Sequence, residues 1–458
     1  VKNVVSLTGT IHNRVVLSMA SFLMLASGVL GAQSGHKSFV PFNDFMANTR
    51  NASSDTFRSQ AIGKLEVKDA PAFEEMRQHI MNLYQGVEVT HSFVLDGDHF
   101  DCMPVDQQPG VRMHGLKSIA SPPPASALKE LFKDSANSAA TFAARPQLGA
   151  GRDMDEFGNS RVCEDKTIPM RRVTLEETSR FPTLKSYLEK SPAETGELPH
   201  SKKVVPPSAV AHKYSYTYQY VGNTGDTTTL NLWSPYVNTG LGEIFSLSQS
   251  WTIAYSPVLQ TAEVGWQNYP GYYGGENSRL FIYYTADGYN HTGCYNLSCG
   301  AFVQTSGGWY FGGGWGSYSS YYGPQYEFTA RYYWYAGNWW LGLGTSPTNA
   351  TWVGYYPGRL YGTGAMSRGS SQLLEFGSES VGSNPWPGEG SGLWASYGWS
   401  WAAYQREIFY WVPGGAAYWN SLTAAQPSSN CYTIAGPSWS SSWGTYFYEG
   451  GPGGYNCY

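Results

Sequence analysis

The pattern of apolar and polar positions changes character near residue 210. Before that point the elements are mixed. Residues 73–84 (FEEMRQHIMNLY) place Phe73, Met76, Ile80 and Leu83 at three- and four-residue steps. That spacing predicts an amphipathic helix with one apolar stripe, and Gly86 is a natural stop. Residues 87–95 alternate like a strand, the DGD at 96–98 fits a turn, and residues 99–105 (HFDCMPV) read as a second strand. The expectation is a small α+β module with a hairpin. Residues 38–59 read as irregular or as a short strand. ALKELF at 127–132 reads as a short helix, order resumes over 161–177, and 181–190 (FPTLKSYLEK) predicts another short helix. Residues 191–210 are polar and Pro-rich, the composition of a linker and of a proteolytic site.

From residue 212 the period is two. HKYSYTYQY, GEIFSLSQSWTIAYS, LQTAEVGWQNYP, SRLFIYYTAD, QYEFTARYYWYAG, NWWLGLG, SQLLEFGSESVGS, REIFYWV and WGTYFYEG are candidate strands, with TTTLNLWSPYV, AFVQTS and WVGYYPGRLY between them. Gly, Asn, Pro and Ser separate them, and no long helical stripe interrupts. The predicted fold class is therefore all-β over residues 211–458, an antiparallel β-sandwich preceded by the small α+β segment. A barrel or propeller is the alternative, but no fixed repeat of roughly 40–50 residues is present.

Composition sharpens the boundary. The 458-residue chain has a formal net charge of -5. Residues 1–210 hold 23 basic and 23 acidic residues, no Trp and only Tyr84 and Tyr187. Residues 211–458 hold 6 basic and 11 acidic residues, all 17 Trp and the other 33 Tyr. This argues against a strongly basic nucleic-acid binder and against a highly charged disordered chain. The second half has the Gly-rich, aromatic-rich, charge-poor character of extracellular β-structure.

The N-terminus reads as a targeting segment. Arg14 precedes the apolar run 15–29, and the small residues Gly31 and Ala32 follow. The order fits a secretory signal peptide over residues 1–32. A single membrane anchor is the competing reading, for which the run is short. An exported chain makes disulfides likelier than metal thiolates for its six cysteines. Position narrows the pairing: Cys294 with Cys299, Cys431 with Cys457, and Cys102 with the remaining Cys163. A zinc half-site at CYNLSC would find only His212 and His291 as histidine ligands in the second half, so no metal or other cofactor is expected.

With so few acids in the second half, their placement is informative. Glu263 shares a strand face with Thr261, Gly265 and Gln267, while Ala262, Val264 and Trp266 take the other. Glu375, Gly377 and Glu379 share a face in LLEFGSES. Two strands carrying carboxylates on one side could set a Glu–Glu pair across a cleft and divide acid and base roles. Scattered surface acids are the plain alternative. His212, at the linker edge, and His291, in a polar turn, make a weak case for a Ser–His triad, and no HExxH, GxSxG or phosphate-loop pattern appears.

Several ordered motifs resemble the neprosin family of secreted glutamic peptidases. In the second half these are NLWSPYV, FSLSQSWTI, TAEVGWQNYPGYYGGENSRLFIYYTADGYNHTGCYNLSCGAFVQT, NWWLGLG, VGYYP and LLEFGSES. In the first half, FDCMP around Cys102 and CEDKTIPMRR from Cys163 resemble that family's activation peptide. The resemblance covers roughly residues 70–458. It implies a β-sandwich peptidase with two catalytic glutamates, made as a zymogen, activated in acid and cleaving after proline. It places those glutamates at Glu263 and at Glu379. Where the family pattern has Gln, this chain has Glu375, a third carboxylate that would raise the pKa of Glu379, move the acid optimum, or bond a neighbouring backbone group instead. Gln267 is expected to orient water or donate to an oxyanion. Trp266 is expected either in the substrate cleft or in the core.

The expected organisation is a signal peptide at 1–32, an activation segment at 33–190, a cleavable linker at 191–210 and the peptidase at 211–458. Expected partners are proline-rich protein or peptide substrates and the chain's own activation segment, with no nucleic acid and no stable membrane association after export. His79, His91, His99, His114 and His200 fall in the activation segment or linker and are candidates for a pH trigger. A carbohydrate-active or carbohydrate-binding sandwich with an aromatic cleft is the alternative function, since paired carboxylates also describe glycosidases.

Overall fold

The computed structural model describes residues 38–60, 65–129, 131, 154–190 and 210–457, without the side chains of 59 and 60. The proposed signal peptide, nearly all of the linker, and His200 lie outside these residues. The described residues from Phe39 onward form one compact unit.

In the first segment a helix spans Ala70–Leu83, with the Asp69 side chain accepting from the backbone N–H of Ala72 at 2.8 Å. Its stripe of Phe73, Met76, Ile80 and Leu83 is buried, as the spacing predicts. Each such side chain contributes roughly 1.5–3 kcal/mol. Strands β1 (His91–Leu95) and β2 (Asp98–Pro104) form the expected hairpin, and β3 (Thr167–Arg171) adds to β2. Buried Arg172 grips Asp101 beneath this sheet.

Two expectations need correction here. Residues 42–60 are helical, as Phe42–Asn51 and Ser54–Gln60, not irregular or extended. Phe42, Phe45 and Thr49 keep a three- and four-residue spacing that short polar residues obscure, and Phe45 packs edge-on to Tyr84 at 5.6 Å. Of ALKELF, Ala127 closes a single 3-10 turn and Leu128 is already extended; residues 130 and 132 lie outside the described residues.

The second segment is two antiparallel sheets face to face. Its longer strands are β4 (Ala211–Asn223), β5 (Gly225–Asn231), β6 (Glu243–Ala254), β7 (Gln260–Asn268), β8 (Arg279–Thr285), β9 (Glu327–Tyr335), β10 (Asn338–Gly344), β11 (Thr351–Pro357), β12 (Ser371–Gly382), β13 (Ala403–Trp411), β14 (Thr433–Ser440) and β15 (Gly444–Gly451). One sheet runs β4-β12-β6-β7-β8, with the short strands Thr423–Ala425 and Cys294–Tyr295 at its edges. The other runs β11-β10-β9-β5-β13-β15, extended by Val303–Gln304 and Glu389–Gly390, with Ala417–Trp419 on β13 and β14 on β15. Strand β14 was not anticipated, because its Gly and Pro residues break the alternation.

Apolar and hydroxyl side chains alternate with the outer faces to fill the space between the sheets. Trp266 is fully buried there, and its indole N–H donates to the Asn231 carbonyl across the interface at 2.9 Å. Three disulfides, Cys102–Cys163, Cys294–Cys299 and Cys431–Cys457, form as position suggested, each within one compositional half.

The first segment docks on the second through built contacts. Gln108 and Gln304 exchange two hydrogen bonds, Gln108 Nε2 to the Gln304 carbonyl at 2.7 Å and Gln304 N to Gln108 Oε1 at 2.8 Å. Tyr187 stacks on Tyr272 at 4.9 Å. His79 Nε2 lies 2.7 Å from the Ser298 carbonyl, and burial lowers its pKa.

Candidate active site

The outer face of the β4-β12-β6-β7-β8 sheet carries the candidate residues, and strand parity puts them there. On β6, Ser248, Ser250 and Thr252 point between the sheets, where Ser248 donates to Glu449 and Ser250 and Thr252 donate to Asp226. Leu247, Gln249 and Trp251 must therefore point outward. Register then defines three rows across β7, β6, β12 and β4. Glu263, Trp251, Glu375 and Tyr218 form the first; Gly265, Gln249, Gly377 and Tyr216 the second; Gln267, Leu247, Glu379 and Tyr214 the third. Glu263 and Glu379 stand diagonally, one strand to either side of β6.

A lysine of the first segment joins them. Lys190 Nζ donates to Glu263 Oε2 at 2.6 Å and lies 2.8 Å from Glu379 Oε2, with all three side chains buried. The facing carboxylate oxygens are thus no further apart than the sum of those two contacts, a gap one water can bridge. The Lys190 ammonium lies 5.2 Å from the centre of the Trp251 ring. Its backbone carbonyl accepts from Tyr295 Oη at 3.0 Å.

Each glutamate also has its own partners. Glu263 Oε1 accepts from Thr261 Oγ1 at 2.7 Å and from Tyr289 Oη at 2.6 Å. Glu379 Oε1 lies 2.6 Å from His212 Nδ1. Burial alone would push the Glu379 pKa up. The Lys190 ammonium and the His212 hydrogen bond outweigh it and bring the carboxyl down to about 2. Burial likewise disfavours the Lys190 ammonium, yet its two carboxylate partners raise its pKa.

The other anticipated residues fall as follows. Glu375 shares the face, but Trp251 separates it in register from Glu263, and Gly377 separates it along β12 from Glu379. It lies near Tyr216, Tyr220 and Tyr255, whose hydroxyl pKa values rise by burial and, next, by its charge. The net shift of Glu379 is downward, set by Lys190 and His212. Gln267 faces outward and is buried, and its Nε2 donates to Tyr295 Oη at 3.1 Å. Trp266 belongs to the core and not to the cleft, because it sits at the opposite parity to Glu263. Its place in the site is taken by Trp251. His291 pairs with Asp287 at 3.7 Å on an exposed turn.

Lys190, His212, Tyr289, Trp251 and Gln249 were not assigned to this site from the sequence. Parity in FSLSQSWTI holds a signal for Gln249 and Trp251. No local pattern connects Lys190 or His212 to a glutamate on another strand.

From β4 an aromatic row leads away from Glu379. His212, Tyr214, Tyr216, Tyr218 and Tyr220 alternate onto one face with successive ring centroids 6.0, 6.4, 6.1 and 5.8 Å apart. Tyr220 is exposed at the far end. The site can therefore hold a water between two carboxyl groups beside an aromatic strip.

Residues 242–452 match the family model described as Neprosin, a span that includes Gln249, Glu263 and Glu379. Two solved structures of scytalido-glutamic peptidase are also similar. The one with a peptide-based transition state analog is 12% identical, with a TM-score of 0.29. The one with a transition state analog inhibitor is 10% identical, with a TM-score of 0.30. Each match covers 54% of this chain and 100% of the other.

Proposed function

We propose that this chain, whose residues 242–452 match the Neprosin family model, is the secreted zymogen of a glutamic endopeptidase that acts in acid and cleaves after proline. The observation that carries the reading is the single ammonium of Lys190 held between Glu263 and Glu379. Lys190 occupies the position a nucleophilic water would need.

Once Lys190 leaves, the chemistry follows from the environments. The His212 hydrogen bond still favours the ionised form of Glu379, so Glu379 takes the proton from water. The water oxygen attacks the substrate carbonyl carbon without an acyl-enzyme. Glu263, held by Thr261 and Tyr289, gives its proton to the departing amide nitrogen as the C–N bond breaks. Proton exchange through solvent restores Glu263 to its acid form and Glu379 to its base form. The Tyr row on β4 and Trp251 supply flat apolar faces suited to proline rings.

The docked first segment and its Lys190 are the inhibitor, and acid weakens the latch. The depressed pKa of Glu379 makes docking strongest above the ordinary carboxylate range, and that contribution fades as pH falls toward about 2. Cutting the linker then frees the face. Three disulfides fit an extracellular destination.

The test is hydrolysis of proline-containing peptides by the purified full chain at about pH 3 and pH 7, with Glu263→Gln and Glu379→Gln as controls. Acid-dependent cleavage after proline, lost in both variants, is expected. Cleavage that survives both would remove the assignment.

A further inference from the structure

Gln249 lies at the centre of the site. In register it is one strand and two residues from Glu263 in one direction, and one strand and two residues from Glu379 in the other. It is fully buried, and among the described residues neither atom of its side-chain amide has a hydrogen-bond partner. A buried amide left in that state is costly, and proteins retain such groups where a ligand completes them. Lys190 satisfies both glutamates but leaves Gln249 unpaired.

The neighbours on either side are both glycines, Gly265 and Gly377, so no side chain flanks the amide in its row. A Cβ at Gly265 would come within 2.6 Å of Gln249 Cβ, and one at Gly377 within 2.4 Å of the Ser215 carbonyl oxygen. Gly377 also has φ +155°. A side chain at either position would crowd the row in which Gln249 sits, and their absence leaves a peptide carbonyl room to approach.

We infer that Gln249 is a third catalytic residue, whose Nε2–H donates to the substrate carbonyl oxygen as negative charge develops on it. This rests on the peptidase reading and supplies the group that reading lacks. The Glu263–Glu379 pair handles the protons, and neither member can donate to the oxyanion while doing so. Gln249 transfers no atom; it stabilises charge that exists only in the transition state and the tetrahedral intermediate. Gln267, the residue expected in this role, donates one amide N–H to Tyr295 Oη, and it lies beyond Leu247 from Glu379.

The experiment compares Gln249→Ala, Gln249→Glu and Gln267→Ala in the acid-activated chain. Gln249→Ala should lower kcat by about 10²–10³-fold, the loss typical of one oxyanion donor, and leave KM within about threefold. Affinity for a peptide whose scissile carbonyl is replaced by a tetrahedral hydroxymethylene should fall by a similar factor, while product-peptide affinity holds. The melting temperature of the latent chain should hold or rise, since an unpaired buried amide is removed. Gln249→Glu should regain activity only at the acid end, where its carboxyl is protonated and can donate. Glu263, Glu379, Lys190, His212 and Glu375, with Tyr214, Tyr216 and Tyr218 of β4, are the titratable and charged groups of the face around it.

Three results would overturn the inference: near-wild-type kcat in Gln249→Ala, a loss confined to KM, or the large kcat loss appearing in Gln267→Ala instead. If Glu263→Gln and Glu379→Gln are inactive while Gln249→Ala is not, only this inference fails. If the glutamate variants stay active, the peptidase reading itself fails.

Discussion

The two faces of the β4-β12-β6-β7-β8 sheet meet buried carboxyl groups of opposite character, its own on the outer face and those of the opposing sheet on the inner face. On the outer face Glu263 and Glu379 share an ammonium that enters from another part of the chain. Between the sheets, Asp226, Glu389 and Glu449 take hydrogen bonds from hydroxyls and, for Glu449, also from the Gln405 amide. Burial pushes Asp226 up to about 6, Glu449 up to about 7, and Glu389 well above the usual carboxylate range. Eight of the eleven acids in residues 211–458 are buried, so burial and scarcity together do not pick out the proposed catalytic pair. Glu327 and Glu407 are buried as well, paired to Arg406. The distinction is the origin of the cation. Arg406 is fixed within its own sheet, whereas Lys190 belongs to a separate segment 73 residues before Glu263.

The largest effect expected from this contrast is chemical. Glu263→Gln or Glu379→Gln should lower kcat/KM by at least about 10³-fold at pH 3, because each removes a proton-transferring group. Glu449→Gln should leave kcat/KM within about twofold in the same assay. Equal losses in both regions would erase the distinction.

Next is latency. Lys190→Met keeps an apolar stem over Trp251 but removes the ammonium. The uncleaved variant should hydrolyse peptide at least about tenfold faster than the uncleaved parent at pH 4. Its Glu379 carboxyl, seen by carboxyl-carbon NMR, should titrate above the value of about 2 that it has beside Lys190.

The interior acids predict a stability effect of the opposite sign to ordinary acid denaturation. Asp226 and Glu449 bind protons more tightly when folded than when unfolded. The fold therefore gains stability as pH falls from about 7 to about 4, roughly 3 kcal/mol for each of the two groups. Urea unfolding of the peptidase domain across that range measures it, and Glu449→Gln should flatten the slope. A slope of the usual sign would mean that the interior acids stay ionised.

The smallest effect belongs to Glu375. Trp251 and Gly377 stand between it and the pair, so Glu375→Gln should move the pH–rate profile by less than about one unit and kcat by less than about fivefold. A larger change would tie Glu375 to the outer-face chemistry.

Much of this was legible in the chain. Alternation located most of the long strands, and parity grouped Glu263 with Gln267 and Glu375 with Glu379, and set Trp266 on the face opposite Glu263. Local cysteine spacing yielded two disulfides, and Cys102–Cys163 followed as the remaining pair. Parity says which side a residue faces and nothing about its neighbours on other strands. Strand order and register made Gln249 central, set Gln267 aside behind Leu247, and isolated Glu375 behind Trp251. The helices over 42–60 were lost because Asn, Ser and Thr dilute a short apolar stripe. The contacts of Lys190 and His212 with the glutamates required docking of a segment and pairing of β4 with β12. Those long-range events bring together residues that no local period relates. The sequence by itself determined the faces of the strands, because side-chain direction is a property of the local backbone. The tertiary structure decided the partners, because electrostatic and hydrogen-bond energies depend on distance through space.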